Sequence, residues 1–298
     1  MIFEKYLRKA YRMVTPSRSK VEEQAKRKRL ASYLKNGRVP WSEGYHDYKW
    51  DEIEKAITSA DIIQKFKNSK IQSFGLGIDE RIIEYPWIFS ALSDSAGRLL
   101  DAGSTFNFKT ILDQPIIKKK ELSIYTYYPE HRSFNENRIS YLYGDLRLLP
   151  FRDNWFEEIV CHSTIEHIDM DNSMYGYELK GNPEPKDKSY KYLEVVNELV
   201  RVLKGNGKLL ITFPFGRFEN HGFFQQFDGE MLRKITEVMH SKGSYSLTFF
   251  RYFREGWKIV PQAECESLES YNPHTGIGKG EDGAAHSRGI CCIHFIKS

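Results

Sequence analysis

Three short stretches carry the side chains best suited to chemistry. Asp101-Ala102-Gly103-Ser104-Thr105-Phe106-Asn107 follows a buried apolar run, and small residues at such a place let a ligand approach the backbone. Gly144-Asp145-Leu146 sets a carboxylate behind another apolar run, where a turn or cap aspartate is the plain alternative to a ligand contact. His162-Ser163-Thr164 leads into Glu166-His167, and Asn220-His221 follows on a later loop. A histidine beside a carboxylate can take up a proton near neutral pH, the work of a general base. Glu166 can orient that ring, or the pair can be a structural hydrogen bond at a helix cap. The same stretch, with Asp169 and Asp171, offers oxygen ligands for Mg²⁺, but no spacing compels a metal and none is expected. Gly276-Ile277-Gly278-Lys279-Gly280 lacks the Walker spacing and reads as a lid loop.

These side chains need elements to position them. From Arg98 onward apolar strand patterns alternate with helical ones, which predicts an α/β fold with a mostly parallel sheet and helices on both faces. The strands are expected at 98–101, 122–127, 139–143, 158–162 and 208–213, followed by late β segments at 245–253 and 289–296. Helices are expected near 80–92 and 106–112, over 228–240, and where Leu193, Val196, Leu199, Val200 and Leu203 share one face before Gly205 and Gly207. Only a long Gly-rich loop separates the two late β segments. Two β segments joined without a crossover helix are expected to run antiparallel to each other.

Asp101-x-Gly103 resembles the glycine motif of class I S-adenosylmethionine (SAM)-dependent methyltransferases, with Thr105 and Asn107 where the second and third glycines usually fall. Gly144-Asp145, Leu149-Pro150-Phe151, Asp153, Phe156, Val160 and Glu166-His167 are similar to the family's next run. Val195–Gly207 leading into Leu209–Gly216 resembles its helix–glycine–strand element, with Asn206 where Pro or Gly is common. The resemblance covers about residues 80–298 and implies a Rossmann-like methyltransferase sheet, mostly parallel with its last strand inserted antiparallel to the rest. It implies that SAM is the cofactor and S-adenosylhomocysteine the product. The cofactor would be held by Asp101, Gly103, Ser104, Thr105, Asn107, Asp145, Leu146, His162 and Ser163. The usual ribose-binding acid at the end of the second strand is missing; Thr126 and Tyr127 stand there, and Glu130 is within reach. His167 is the first candidate base and His221 the second, with Glu166 as the orienting group. Arg81–Trp87, Ser163–Asn172 and Tyr175-Gly176 further resemble a subgroup found with surface-glycan biosynthesis, which implies O-methylation of a sugar or lipid-linked glycan. A small metabolite or RNA as acceptor, and a non-catalytic SAM-fold scaffold, are the rival readings.

Charge is unevenly distributed. Residues 1–40 hold 12 Lys/Arg against 3 Asp/Glu, a local +9, which leaves 32 against 37, or −5, for the remainder. The bulk therefore carries no nucleic-acid footprint, and nucleic acid is not an expected partner. Residues 1–14 segregate Lys5, Arg8, Lys9 and Arg12 from Phe3, Leu7 and Tyr11. This amphipathic pattern fits contact with anionic membrane, reinforced by Lys26–Arg29, or docking on protein. A basic helical extension over 1–75 and a methyltransferase domain over 76–298 are expected. No apolar run is long enough to span a bilayer, and Cys161, Cys265, Cys291 and Cys292 form no CxxC pair. A cytoplasmic protein, at the inner face of the membrane, is the expected location; the oligomeric state is not readable.

Overall fold

The computed structural model describes residues 18–134, 138–173, 187–273, 275–276, 279–280 and 283–298, with side chains described from residue 21. The amphipathic segment 1–14, Tyr175-Gly176 and Ile277-Gly278 lie outside these residues. The chain divides into two compact units, Met1–Glu52 and Ile53–Ser298.

In the first unit, helix α1 (Arg18–Lys35) is joined to the first turns of α2 (Tyr45–Thr58) by ion pairs. Lys26 Nζ meets Asp51 at 2.5 Å and Arg29 Nε meets Asp47 at 2.7 Å, while Arg27 bonds Glu23 one turn away. Three of the four cations in the run Lys26–Arg29 thus have acids of their own. The run is not the open cationic patch its sequence suggests. The division between units falls at Glu52, ahead of the expected 75/76 boundary. The physical reason lies in α3 (Ala60–Lys67) and the segment behind it. Phe66 stacks near Phe250, and Phe74 exchanges both backbone hydrogen bonds with Trp257.

The second unit is an eight-stranded sheet. In chain order its strands are β1 (Gly97–Ala102), β2 (Lys120–Thr126), β3 (Ser140–Tyr143), β4 (Phe156–His162), β5 (Leu203–Pro214), β8 (Gly243–Phe253), β9 (Gly256–Val260) and β10 (Gly289–Lys297). The short β6 (Glu219–Asn220) and β7 (Gln225–Gln226) form a separate hairpin. The spatial order is β3-β2-β1-β4-β5-β10-β8-β9. β1 through β5 pair in parallel, whereas β10 is inserted antiparallel between β5 and β8. This is the Rossmann-like sheet of the class I methyltransferase fold, with its last strand antiparallel as expected. β9 adds a second antiparallel strand at the edge, hairpinned on β8 through Phe253–Gly256.

Residues alternate along the strands between two buried faces. Leu100, Ile159, Cys161, Leu209, Ile211, Phe213, Cys291 and Ile293 point to the face covered by α7 (Tyr192–Val202) and α8 (Gly229–His240). α7 contributes Val195, Val196, Leu199 and Val200, and α8 contributes Met231, Leu232, Ile235 and Met239. Each such side chain stabilises the fold by roughly 1.5–3 kcal/mol on burial. Asp228 caps α8 by accepting from Met231 N at 3.0 Å. On the opposite face α4 (Arg81–Ala91) is buried continuously from Ile82 to Phe89.

Two expectations need correction. The helix at 106–112 shrinks to single turns, α5 (Lys109–Leu112) and α6 (Pro115–Lys118), because Asp101 takes the backbone donors of Thr105 and Phe106 and Pro115 starts a new turn. α7 ends at Val202, not at Gly205, and Leu203–Gly207 is an irregular entry to β5 in which Asn206 adopts a left-handed φ of 61°.

Candidate active site

A cleft of about 290 Å³ opens at the carboxyl edge of β1–β4, near the lower end of the range for ligand pockets. Its walls include Gly103, Thr105, Thr126, Tyr127, Glu130, Asp145, Leu146, Ser163, Thr164 and His167. Thus eight of the residues singled out in the sequence as binding or catalytic share one cavity. Asp101, Ser104, Asn107, His162, Glu166 and His221 are not among its walls, and each has a structural reason.

Asp101 shapes the wall from behind. Its buried carboxylate accepts from Phe106 N at 2.8 Å and from Thr105 N and Oγ1 at 3.2 Å, fixing the turn after β1. Burial pushes its carboxyl up to about 7, against the pull of those donors. Gly103 holds φ at 124°, and a Cβ there would stand 2.1 Å from Thr164 Oγ1, so the Thr164 side chain packs onto the bare Cα of Gly103 where no residue with a Cβ fits. Ser104 follows at φ 63° and is buried beneath this turn.

Asn107 is the clearest reassignment. It is buried, donates Nδ2 to Glu130 Oε2 at 2.6 Å and to Arg132 O at 3.0 Å, and accepts from Tyr141 Oη at 3.0 Å. It therefore fastens the loop after β2 and is not among the cleft walls. That loop delivers Glu130 to the cleft wall. An acid therefore lines the cleft four residues after Thr126, although none stands at the end of β2 itself.

After β3, Asp145 is clamped by Arg147 through Nε at 3.0 Å and Nη2 at 2.6 Å, with Arg147 N at 2.9 Å. Burial opposes its ionisation, but these donors prevail and hold its carboxyl below the ordinary value.

Behind the end of β4 lies a buried polar centre on Glu84 of α4. Its Oε1 accepts from Ser163 Oγ at 2.5 Å and Thr212 Oγ1 at 2.6 Å; its Oε2 meets Arg81 Nη1 and His162 Nε2, both at 2.9 Å. Burial alone would raise the Glu84 carboxyl, yet His162, Arg81 and the hydroxyl donors hold it well below the carboxylate range. His162 is fully buried and serves this centre, not the cofactor side expected for it.

His167 ends a single 3-10 turn, Ile165–His167, after β4. Its Nδ1 lies 2.7 Å from Phe223 O. A carbonyl only accepts, so Nδ1 carries the hydrogen and the lone pair of the neutral ring is on Nε2. Burial pushes its pKa down to about 4, which keeps the ring neutral at pH 7. Phe223 O, not Glu166, therefore orients His167. Glu166 is buried with Oε2 unpartnered, and burial pushes its carboxyl up to about 8. His221 is one aromatic layer away from His167: it stacks on Phe224 at 4.7 Å, and Phe224 lies 6.3 Å from the His167 ring. Ser270 Oγ, within 2.8 Å of both Glu219 Oε2 and His221 Nε2, gives its one hydrogen to the carboxylate and accepts from the ring. Among the described residues no cluster of three or more His, Cys, Asp or Glu is arranged to hold a metal, and no helix is long and apolar enough to cross a membrane.

The state of Glu166 has a consequence for stability. Between its ordinary value of 4.5 and about 8 the folded chain keeps a proton that the unfolded chain releases, so its contribution falls as pH rises through that window. Glu166→Gln is expected to be more stable than the wild type at pH 8 and equal to it at pH 4, by urea unfolding. An identical difference at both pH values would contradict a protonated Glu166.

No family model and no curated protein matches the chain by sequence. Among solved structures it is similar to the N-methyltransferase NodS from Bradyrhizobium japonicum in complex with S-adenosylhomocysteine (TM-score 0.42, 10% identity, 84% of this chain and 98% of that one). It is also similar to 1,6-didemethyltoxoflavin-N1-methyltransferase from Burkholderia thailandensis (0.41, 10%, 68% and 72%). A third is a SAM-dependent methyltransferase from Methanosarcina mazei (0.40, 13%, 71% and 97%). These likenesses are remote, and the fold class rests on the strand order and the antiparallel β10.

Proposed function

We propose that the chain is a methyltransferase that binds SAM in this cleft and methylates an acceptor at its His167 end. The observation that carries the reading is the order of groups along four adjacent parallel strands: Gly103 after β1, Glu130 after β2, Asp145 after β3, and Ser163–Thr164 with His167 after β4. The residues fit the cofactor. Gly103 adds a wall position with a positive φ and no Cβ, Glu130 a carboxylate for the ribose hydroxyls, and Asp145 an acceptor for the adenine amino group. When bound, SAM supplies an activated methyl group on a sulfonium. The protein's part is to align the acceptor, exclude water and receive a proton on His167 Nε2.

A proton-taking imidazole favours an acceptor whose nucleophilic atom carries a hydrogen it must lose, as a sugar hydroxyl does. Within the proposal, O-methylation of a sugar or lipid-linked glycan is the finer reading, and segment 1–14 is the part that would bring the enzyme to an anionic membrane. The scaffold alternative draws on the altered glycine motif and the missing strand-2 acid; Glu130 at the cleft wall, as a carboxylate for the ribose, speaks against the second of these. Asp145→Ala tests the adenine end. By calorimetry it is expected to weaken S-adenosylhomocysteine binding by about 1–3 kcal/mol through a lost charge-assisted hydrogen bond. Unchanged affinity would move the adenine elsewhere.

A further inference from the structure

We propose that a second cavity, on the α7 face of the sheet over β2 and β3, binds a soluble ligand through a diphosphate group. The cavity measures about 790 Å³ and shares no wall residue with the cofactor cleft. It opens where the chain passes from β3 to β4 without a helix between them.

Its floor carries hydroxyls where a packed face would carry apolar groups. Ser123 of β2 and Ser140 of β3 are register partners on neighbouring parallel strands, and Ser123 is also in register with Leu100 of β1. The two side chains therefore stand side by side on the face that Leu100 shares. Both line the cavity, and among the described residues neither hydroxyl has a hydrogen-bond partner. The walls add five cations, Arg98, Lys118, Lys120, Arg138 and Arg152, against one acid, Glu121. Three of these cations already meet carboxylates outside the cavity: Arg98 meets Glu157 at 3.1 Å, Lys118 meets Asp113 at 2.9 Å, and Lys120 meets Glu158. Arg138 and Arg152 have no acid of their own among the described residues. Arg152 is nonetheless held in place. Its guanidinium lies 4.3 Å from the centre of the Trp155 ring, which Arg98 also approaches, at 3.9 Å. A stacked guanidinium keeps its in-plane donors for the oxygens of an anion. Guanidinium forks pair with phosphate oxygens two at a time, and hydroxyls can donate to a further oxygen. Two guanidiniums without acids and two adjacent hydroxyls match two linked phosphoryl groups. The volume lies within the range of roughly 300–1,000 Å³ for ligand pockets and leaves room for what the diphosphate carries.

Calorimetry on the full chain at constant ionic strength, with inorganic diphosphate as the probe, tests this. One diphosphate per chain is expected, bound on the order of 10-fold tighter than orthophosphate, because the second phosphoryl group adds charge-assisted bonds. Arg152→Gln is expected to weaken it on the order of 10- to 100-fold, and replacing Ser123 and Ser140 together by Ala about 2- to 10-fold. Glu121→Gln removes the wall acid and should tighten binding by up to about 5-fold, a gain that no loss of structure would produce. Arg138→Gln takes the place of Arg152→Gln if that variant does not fold. Uridine diphosphate, which lacks the adenine that the cofactor cleft would take, separates two sources of the group. Tighter binding than inorganic diphosphate supports a nucleotide ligand in this site, and equal or weaker binding supports a non-nucleotide one. Absence of diphosphate binding at millimolar concentration, equal affinity for orthophosphate, or an affinity that none of these substitutions moves overturns the proposal. So does a dimer that Arg152→Gln dissociates, which would give the cavity to a second copy of the chain.

Discussion

Replacing His167 by Gln is expected to lower turnover about 10²–10⁴-fold while leaving affinity for S-adenosylhomocysteine nearly unchanged. Gln keeps the size of the side chain and can still donate to Phe223 O, but it has no basic nitrogen to place where Nε2 stands. His221→Gln, whose ring is tied to Ser270 outside the cleft walls, is expected to have a much smaller effect. The low pKa of His167 adds a second signature. A base works when deprotonated, so activity is present above its pKa and lost as pH falls through it. The acid limb of the profile is therefore expected near pH 4 and not near the usual imidazole value. Full turnover in the Gln variant under chemistry-limited conditions, or an acid limb near 6.5 that the variant retains, would remove His167 from the mechanism.

The second large effect is on stability. Glu84→Ala strips the acceptor from Arg81, His162, Ser163 and Thr212 at once, at a carboxylate that is itself fully buried. Breaking a buried ion pair by removing one partner costs about 3–5 kcal/mol, and the stranded hydroxyls add to that. Urea unfolding should show the loss as a lower midpoint with an unchanged slope. Thr212→Val, which removes a single donor and leaves Glu84 with three, should cost far less. A loss below about 1 kcal/mol for Glu84→Ala would mean that the centre contributes little to holding α4 on β4 and β5.

The sheet was legible because its strands are short apolar runs with turn residues between them, and because no helix pattern separates the two late β segments. β9 escaped: Gly256–Val260 is only five residues long and follows β8 through a tight hairpin, so both read as one strand and a loop. The cleft was legible where a residue's type carries its own constraint, as at Gly103 and Asp145. The loop-fastening role of Asn107 was not legible, because its partners Glu130, Arg132 and Tyr141 are 23, 25 and 34 residues away. The Glu84 centre left a signal that went unread. In Arg81-Ile82-Ile83-Glu84-Tyr85-Pro86-Trp87 a carboxylate sits inside an apolar run, and a charge buried that way must find partners. The run Lys26–Arg29 misled in the opposite sense. Its acids at Asp47 and Asp51 are distant in sequence, and only the folded unit brings them back.

Titration of the wild-type protein with S-adenosylhomocysteine tests the central claim most directly. A saturable heat corresponding to one site per chain, abolished by prior saturation with SAM, is the predicted result. Absence of binding at millimolar S-adenosylhomocysteine and SAM, by a protein shown to be folded, would contradict it.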